Sequence, residues 1–376
     1  MKFTIGVEEE FFLVDPATRD LISQPTEAIF EACERNAGPH RIVHEFLNTQ
    51  IETNTKVCTS IGELRGALLE TRRIVLNAAN EHGAAVIAAS MHPFAKWQEQ
   101  SPTPKERYEE FELRMQDAVR RILVSGMHIH VGFGDEDQRI RVMSTIRHYM
   151  PVFCVLSASS PIVEGRQTGF RSFRLNYLSG LPRTGIPPYL SSWSDYQNVI
   201  DELESLEFIN DGTELWWDIR PSAKYPTIEL RICDTCSLVD DAVALAALYV
   251  CLIHHLQTLD ETGKLPSHQS HQLIEENRWH AQRYGILAFF ADPTVNERRI
   301  VGEIVEELLD TLKTSAQICE CEAELASIGS ILARGTSADR QFDTMKLAEL
   351  DGASEKESLR NVVDMLIAET KVGVGE

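Results

Sequence analysis

Basic residues are scarce in this chain. Its 376 residues hold 36 lysines and arginines against 57 aspartates and glutamates, a formal net charge of −21. That deficit excludes a broad basic face that would neutralise nucleic-acid phosphates, and electrostatic docking on anionic lipid. It does not exclude an anion held in a small pocket loaded with arginine or metal. An apolar signal segment is also missing: the chain starts Met1-Lys2-Phe3-Thr4-Ile5-Gly6 and turns acidic at once. The longest apolar run, Ala242 to Ile253, is too short for the ~30 Å of bilayer hydrocarbon. A cytoplasmic protein with no membrane or nucleic-acid partner is expected. Cysteine is sparse, and eight in this length make no disulfide framework. The lone Cys233-Asp-Thr-Cys236 lacks a second pair at zinc spacing, which Cys319 and Cys321 do not supply, so reduced structural thiols are expected. Neither Gly-x-Ser-x-Gly, nor Gly-x-Gly-x-x-Gly after a strand, nor a Gly-rich lysine loop occurs. Any nucleotide would have to be bound through metals and arginines.

What is present is ordinary globular composition, 43% hydrophobic and 25% charged, with no repeat and no linker to cut at. The pattern predicts strands over 3–14, 45–54, 86–90 and 127–133. It predicts helices over 63–82, 105–125 and 139–157. A loop-rich stretch, 160–192, precedes a hairpin of 214–220 and 227–234. A long buried helix over 238–259 follows, and everything from Gln269 onward reads helical. The last 80 residues carry 17 acids and 9 bases, as solvated outer helices would. Hairpin-paired strands flanked by helices indicate an α+β fold on a largely antiparallel sheet.

Five clusters could carry chemistry. In Gly6-Val7-Glu8-Glu9-Glu10-Phe11, Glu8 and Glu10 share one strand face, opposite Phe3, Ile5, Val7, Phe11 and Leu13. Two carboxylates ~7 Å apart repel unless a cation lies between them, and Mg²⁺ or Mn²⁺ prefers such hard oxygens. A solvated acidic face is the alternative. Glu9 falls on the apolar side and needs a bulge or a buried partner. Glu52 shares a face with Gln50 and Asn54. Glu45, seven residues earlier, joins it only through a bulge and ranks below it as a ligand. His128 and His130 share a face and suit a metal, a carboxylate or a phosphate; packed core histidines are the alternative. In the hairpin, Asp218, Arg220, Glu229 and Arg231 mix both charges. Pairing of Arg220 with Thr227 would set Asp218 opposite Glu229. Such a face suits a metal-bound polyphosphate, or is a salt-bridge lattice. Last, Arg166, Arg171, Arg174 and Arg183 form a basic island with the single acid Glu164. The stretch Glu276-Asn277-Arg278-Trp279-His280-Ala281-Gln282-Arg283-Tyr284-Gly285 adds two arginines. Arginines in such places are also often plain surface.

Taken in order, Gly6–Phe12, Glu45–Thr53, Gly126–Gly132, Ser157–Arg174, Trp216–Asp234 and Glu276–Gly285 resemble the bacterial carboxylate–amine ligases of the glutamate–cysteine ligase type 2 family. His92-Pro93-Phe94, Arg107-Tyr108, Thr168-Gly169 and Gly335-Thr-Ser-Ala-Asp-Arg340-Gln341 extend the likeness over nearly the whole chain. The resemblance implies a glutamine synthetase/guanidino kinase-like fold, an antiparallel sheet forming a bowl flanked by helices. It implies one catalytic domain over 1–376, helical from about 269. It implies ATP and Mg²⁺, with Mn²⁺ as an alternative. The reaction would phosphorylate the glutamate γ-carboxylate and form a γ-glutamyl amide with cysteine or another amine.

By the same resemblance Glu8, Glu10, Glu52 and Glu229 are metal ligands, joined by Glu45 and His128. Arg231, Arg220 and Glu229 would be catalytic, and Arg231, Arg278, Arg283 and Asn277 would contact ATP. Arg171 or Arg174 would take the amino acid's α-carboxylate, with His130 beside the substrate. Where such ligases usually read Trp-Arg-Ala-Ala-Arg-Tyr-Gly, this chain has His280 and so lacks one arginine. No general base stands out. The rivals are a guanidino-kinase-like phosphotransferase and a non-catalytic Mg·ATP sensor. The acceptor amine is not legible, and the apolar 238–259 helix suits a core or a homo-oligomer interface.

Overall fold

A computed structural model describes residues 3–375; the Arg107 side chain, half of the Arg107-Tyr108 motif, lies outside the described residues. Seven strands form one antiparallel sheet: β1 (Thr4–Val14), β2 (Arg41–His44), β3 (Gln50–Asn54), β4 (Ala85–Ile87), β5 (Met127–Gly132), β6 (Ile219–Pro221) and β7 (Ile228–Leu230). Their spatial order is β6-β7-β5-β1-β3-β2, and β4 pairs with the far end of β1.

Alternation along β1 decides what each face carries. Phe3, Ile5, Val7, Phe11 and Leu13 are buried, while Glu8 and Glu10 stay half-buried on the other face. Below the sheet, Ile5, Val7, Ile129, Val131, Ile228 and Leu230 share a core with the Val239–Glu261 helix. Among the described residues this is the one helix long and apolar enough to cross a bilayer, yet its apolar stretch is mostly buried in the protein. Phe12 and Val14 pack on the other face with the C-terminal helices Ser337–Leu350 and Glu355–Lys371. The far end of β1 is therefore covered on both sides and the near end on one.

Glu9 does have a buried partner. The Arg72 guanidinium, from the Ile61–Glu81 helix, grips its carboxylate through Nε at 3.1 Å and through Nη2. Arg72 also donates to the carbonyls of Ser237 and Cys236 at 3.0 and 2.8 Å, and both side chains are fully enclosed. Each guanidinium nitrogen donates at least once where the two charges leave water, as burial of an ion pair requires.

Several expected elements are cut differently. Of the expected 45–54 strand only β3 (Gln50–Asn54) forms; residues 45–49 are the turn from β2, with Glu45 just past that strand. The 105–125 helix is only Glu106–Met115 and a short turn Asp117–Arg120, broken at Gln116, where φ is +49°. Beyond it Val119, Leu123 and Val124 turn inward. The 139–157 helix starts earlier, where Asp135 accepts from the Gln138 amide, and is interrupted by a 3₁₀ turn at Arg147–Tyr149. Pro151 has no N–H to donate back to Arg147, so the α-helical ladder cannot run through. The region after Gln269 is not all helix, because Phe289–Asp292 and Glu297–Ile300 form a hairpin turned at Asn296, φ +55°. All eight cysteines are free, and burial pushes the Cys233 thiol up to about 12 and that of Cys236 well above its usual value.

Replacing Arg72 with Met strands the Glu9 charge in the core. Urea unfolding is expected to show a loss of about 3–5 kcal/mol, much of it regained in the Glu9→Leu/Arg72→Met double variant. A single variant within about 1 kcal/mol of wild type would show that the pair is not what holds β1 to the helix.

Candidate active site

The register of the sheet assembles the site. Glu10 faces Glu52 across β1 and β3, and Glu8 faces His128 across β1 and β5. Glu229 faces His130 across β7 and β5, and Arg220 faces Glu229 across β6 and β7. The expected pairing of Arg220 with Thr227 is thus off by two residues. Asp218 is left outside the ladder, where its carbonyl accepts from the amides of Arg231 and Ile232 and its carboxylate binds Arg278 at 2.5 Å.

His128 Nδ1 lies 2.9 Å from Glu8 Oε2 and 3.8 Å from Glu229 Oε1. One ligand atom each from Glu8, His128 and Glu229 falls within 4.8 Å of the others. His130 Nε2 is 3.4 Å from Glu8, and its Nδ1 is 3.1 Å from Thr227 Oγ1. Glu229 takes Arg220 Nε at 2.9 Å and also Arg231 Nη1. Arg220 is fixed in turn by the carbonyls of Thr213 and Leu215, both at 2.7 Å. Glu10 accepts from the Gly126 amide at 2.7 Å, Glu52 from Asn54 at 2.6 Å and Glu45 from Tyr108 at 3.4 Å.

These groups split into two electrostatic sets. Burial pushes the Glu10 carboxyl up to about 7, with Arg174 opposing and Glu52 adding to the rise. Burial likewise raises Glu45 and Glu52, reinforced by Glu10 and Glu52 at the first and by Glu8 at the second. On the other side, burial would raise Glu8 and Glu229 too. His128 and His130 overcome it at Glu8, and Arg231 and Arg220 at Glu229, so both fall below the usual range. Burial, then the Arg231 charge, brings His128 down to about 4, leaving a neutral imidazole able to bind metal. Three crowded carboxyls with raised proton affinity beside a Glu–His–Glu trio fit a hard divalent cation, whose charge would relieve their repulsion.

Glu8, Glu10, Glu45, Glu52, His128, His130, Arg220, Glu229 and Arg231 all line one polar cleft of about 420 Å³. Glu45 reaches it from the β2–β3 turn rather than by a bulge. Arg41, Lys105 and Lys224 line it too. As isolated basic residues they carried no signal in the sequence. Arg174 lines an adjoining cavity of about 180 Å³ with Glu10 and Arg231. Its guanidinium lies against Gly126, where any Cβ would sit 2.3 Å from Nη2. Gly126 therefore serves this contact and the Glu10 hydrogen bond. Arg278 stands behind Asp218, which lines that same cavity.

The remaining expected residues stand elsewhere. Asn277 bonds both backbone groups of Ala291 and pins the Phe289–Asp292 strand. Arg283 donates to the Gly169 carbonyl and lies over Phe170 and Tyr284. Arg171 binds Asp339 at 2.8 Å and lies over Phe342. None of these three lines the cleft. His280, at the position of the lost arginine, pairs with Glu276 at 3.3 Å.

The fold has counterparts among solved structures. It superimposes on a glutamate–cysteine ligase from Francisella tularensis, solved in complex with AMP, with a TM-score of 0.69 at 12% identity, covering 100% of this chain and 90% of that one. A bifunctional glutathione synthetase from Pasteurella multocida gives a TM-score of 0.70 at 15% identity, covering 98% of this chain and 53% of that one. Sequence gives the family. Residues 4–365 match the glutamate-cysteine ligase family 2, and the chain belongs to it. A provisionally named glutamate–cysteine ligase 2 of Rhodospirillum rubrum is 41% identical over 376 residues, 99% of this chain and 97% of that protein. Its counterpart in Chloroflexus aurantiacus is 36% identical, covering 99% and 93%. The chain is a ligase of the kind that forms a C–N bond.

A metal held by these carboxyls competes with protons for them. Mg²⁺ is therefore expected to raise the melting temperature more at pH 8 than at pH 6, as Glu10 ionises through about 7. Stabilisation that is equal at the two pH values, followed by thermal unfolding, would dissociate the metal from this cluster.

Proposed function

We propose that this protein is an ATP- and Mg²⁺-dependent ligase that phosphorylates the γ-carboxylate of glutamate and joins it to an amine, cysteine or another. The observation that carries the reading is the single cleft holding four ligand-competent glutamates, Glu45 and His128 alongside Arg220 and Arg231. We read the sheet as the bowl of a glutamine-synthetase-like domain.

A carboxylate is a poor electrophile, and ATP activates it. An oxygen of the γ-carboxylate attacks the terminal phosphorus of ATP, the bond to ADP breaks, and an acyl phosphate forms. The amine nitrogen then bonds to the acyl carbon, phosphate leaves with the C–O pair, and a carboxylate or phosphate oxygen takes the amine's proton. Such transfer needs placement and charge neutralisation more than covalent help. Glu8, Glu10, Glu52, Glu229, Glu45 and His128 would hold Mg²⁺, which supplies charge neutralisation on the phosphate oxygens. Arg231 is paired only with Glu229 through its side chain among the described residues, so it can exchange that carboxylate for a phosphate oxygen. Arg220 is fixed by two carbonyls and stays to keep Glu229 ionised. Of the two arginines considered for an amino-acid carboxylate, Arg171 is held by Asp339. Arg174 has a buried Nε without a hydrogen-bond partner among the described residues, beside Glu10.

Incubation with ATP, Mg²⁺, glutamate and hydroxylamine is expected to release ADP and a γ-glutamyl hydroxamate. Glu10→Gln and Glu229→Gln are each expected to cost about 100-fold or more in turnover with the folded protein retained by circular dichroism. Near-wild-type turnover in both would overturn the assignment of the cleft.

A further inference from the structure

The cavity beside Glu10 differs from the cleft it joins. Its apolar lining is Phe46, Phe111, Val119, Ile122, Val124, Leu178, Leu181, Trp216 and Trp217, and its charged or ionisable lining is Glu10, Glu45, His128, Arg174, Asp218 and Arg231. Gln50 and Thr184 also touch it, but Gln50 Nε2 donates to the Val124 carbonyl and Ser125 Oγ, and the Thr184 hydroxyl donates to the Leu181 carbonyl. The walls are thus mostly apolar, with the indoles of Trp216 and Trp217 the chief exceptions.

Resting on the ligase reading above, we propose that this cavity receives the acceptor, and that the acceptor is an amino acid with a ring-sized or branched apolar side chain rather than cysteine. Size is the first argument. The cavity measures about 180 Å³, and an apolar cavity of about 150 Å³ is enough to bind benzene. The mercaptomethyl group of cysteine would leave more of the apolar wall without contacts than a ring or a branched chain does. Polarity is the second. An adenine ring has four ring nitrogens and an amino group to satisfy, and the walls of Val119, Ile122, Val124, Leu178 and Leu181 offer those groups no partner. The neighbouring cavity of about 490 Å³, which offers Tyr108, Asn210, Asp211, Thr213 and Lys224, has the polar surface for a nucleobase. Glutamate itself has no large apolar part.

The charged lining gives the orientation. Arg174 Nε, buried and unpartnered among the described residues, takes the acceptor's carboxylate. Its other nitrogens are held by the carbonyls of Arg231, Ile232 and Cys233 at 3.3–3.4 Å, so the group is fixed before anything binds. The amine then lies on the Glu10 and Glu45 side, facing the cleft where the γ-carboxylate is activated. Its nitrogen forms the C–N bond there, phosphate departs, and the apolar side chain remains among Ile122, Leu178, Leu181 and Trp216.

The test is competition on the intact protein with ATP, Mg²⁺ and glutamate, products being read by mass. Phenylalanine and leucine are expected to exceed cysteine and alanine by about tenfold or more in kcat/KM, as burial of several methylene equivalents gives. Phenethylamine, lacking the carboxylate, is expected to fall below phenylalanine. Phenylalanine alone is expected to change the tryptophan fluorescence of the protein, through Trp216 and Trp217. Ile122→Trp and Leu178→Phe, both at half-buried wall positions, are each expected to lower the phenylalanine-to-hydroxylamine selectivity about tenfold. Hydroxamate formation with cysteine preferred over phenylalanine would overturn the acceptor proposal and leave the ligase reading standing. Absence of hydroxamate from folded protein would remove the ligase reading and this proposal with it. An unchanged selectivity in both wall variants would place the acceptor elsewhere.

Discussion

The parity of β1 is the constraint on which the rest depends. Odd-numbered residues from Phe3 to Leu13 go into the core, and Glu8 and Glu10 go to the cleft. A slip of one residue would bury both of those carboxylates and expose the apolar row. Glu9 is the one polar side chain on the core side, and Arg72 meets it there with two hydrogen bonds. A buried ion pair is weak evidence for stability and better evidence for uniqueness, since only one register brings the two charges together. In this chain it ties β1 to the Ile61–Glu81 helix at the residue between the two cleft glutamates. The backbone that presents Glu8 and Glu10 is thereby fixed on its hidden side, away from any ligand.

The exposed side of the same strand carries the opposite problem. Glu10, Glu45 and Glu52 crowd one another in a half-buried cleft and are pushed toward the neutral form, whereas Glu8 and Glu229 are kept ionised by His128, His130, Arg220 and Arg231. The sheet holds these two sets side by side because backbone ladders, not side-chain preferences, set their spacing. Such an arrangement lowers the stability of the empty protein and raises its appetite for a cation. Buried, perturbed carboxyls gathered in a cleft are the pattern expected of functional sites more than of a solvated acidic face.

Much of this is legible in the sequence, for a simple reason. Period-2 patterning in Phe3–Val14 and Met127–Phe133 reports faces directly, so the alternation alone puts Glu8 with Glu10 and His128 with His130. Glu45 is harder, because its parity says one thing and the β2–β3 turn does another. The hairpin of Asp218 and Glu229 is legible as a hairpin but not in register, since Asp218 leaves the ladder to meet Arg278, which is distant in sequence. Helix boundaries fail where long-range packing rather than local pattern decides: Gln116 turns left-handed so that Val119 to Val124 can wall a cavity. Arg41, Lys105 and Lys224 leave no trace, being single basic residues whose neighbours come from other strands and loops. The arginine island is legible as a charge excess but dispersed in space, with Arg171 held by Asp339, Arg183 over Trp216 and Arg174 at the cavity.

The net charge of −21 takes on a different meaning once these positions are known. The acids of the C-terminal helices face solvent and keep large polyanions away. Those in the cleft are few, partly neutralised by Arg220 and Arg231, and neutralised further by any divalent cation they bind. The same chain can therefore repel nucleic acid and accept a small metal-bound polyphosphate. A second division follows beside it. In the proposed reaction the acyl phosphate is open to attack by water, so the space that would admit the amine has to favour its occupant over solvent. A polar cleft alone cannot do that, because water satisfies polar groups as well as a substrate does. The walls of Ile122, Val124, Leu178, Leu181 and Trp216 can, since water gains nothing there and an apolar side chain gains every contact. Charge placement in the cleft and dryness in the adjoining cavity are thus two halves of one requirement, activating a carboxylate without losing it to hydrolysis.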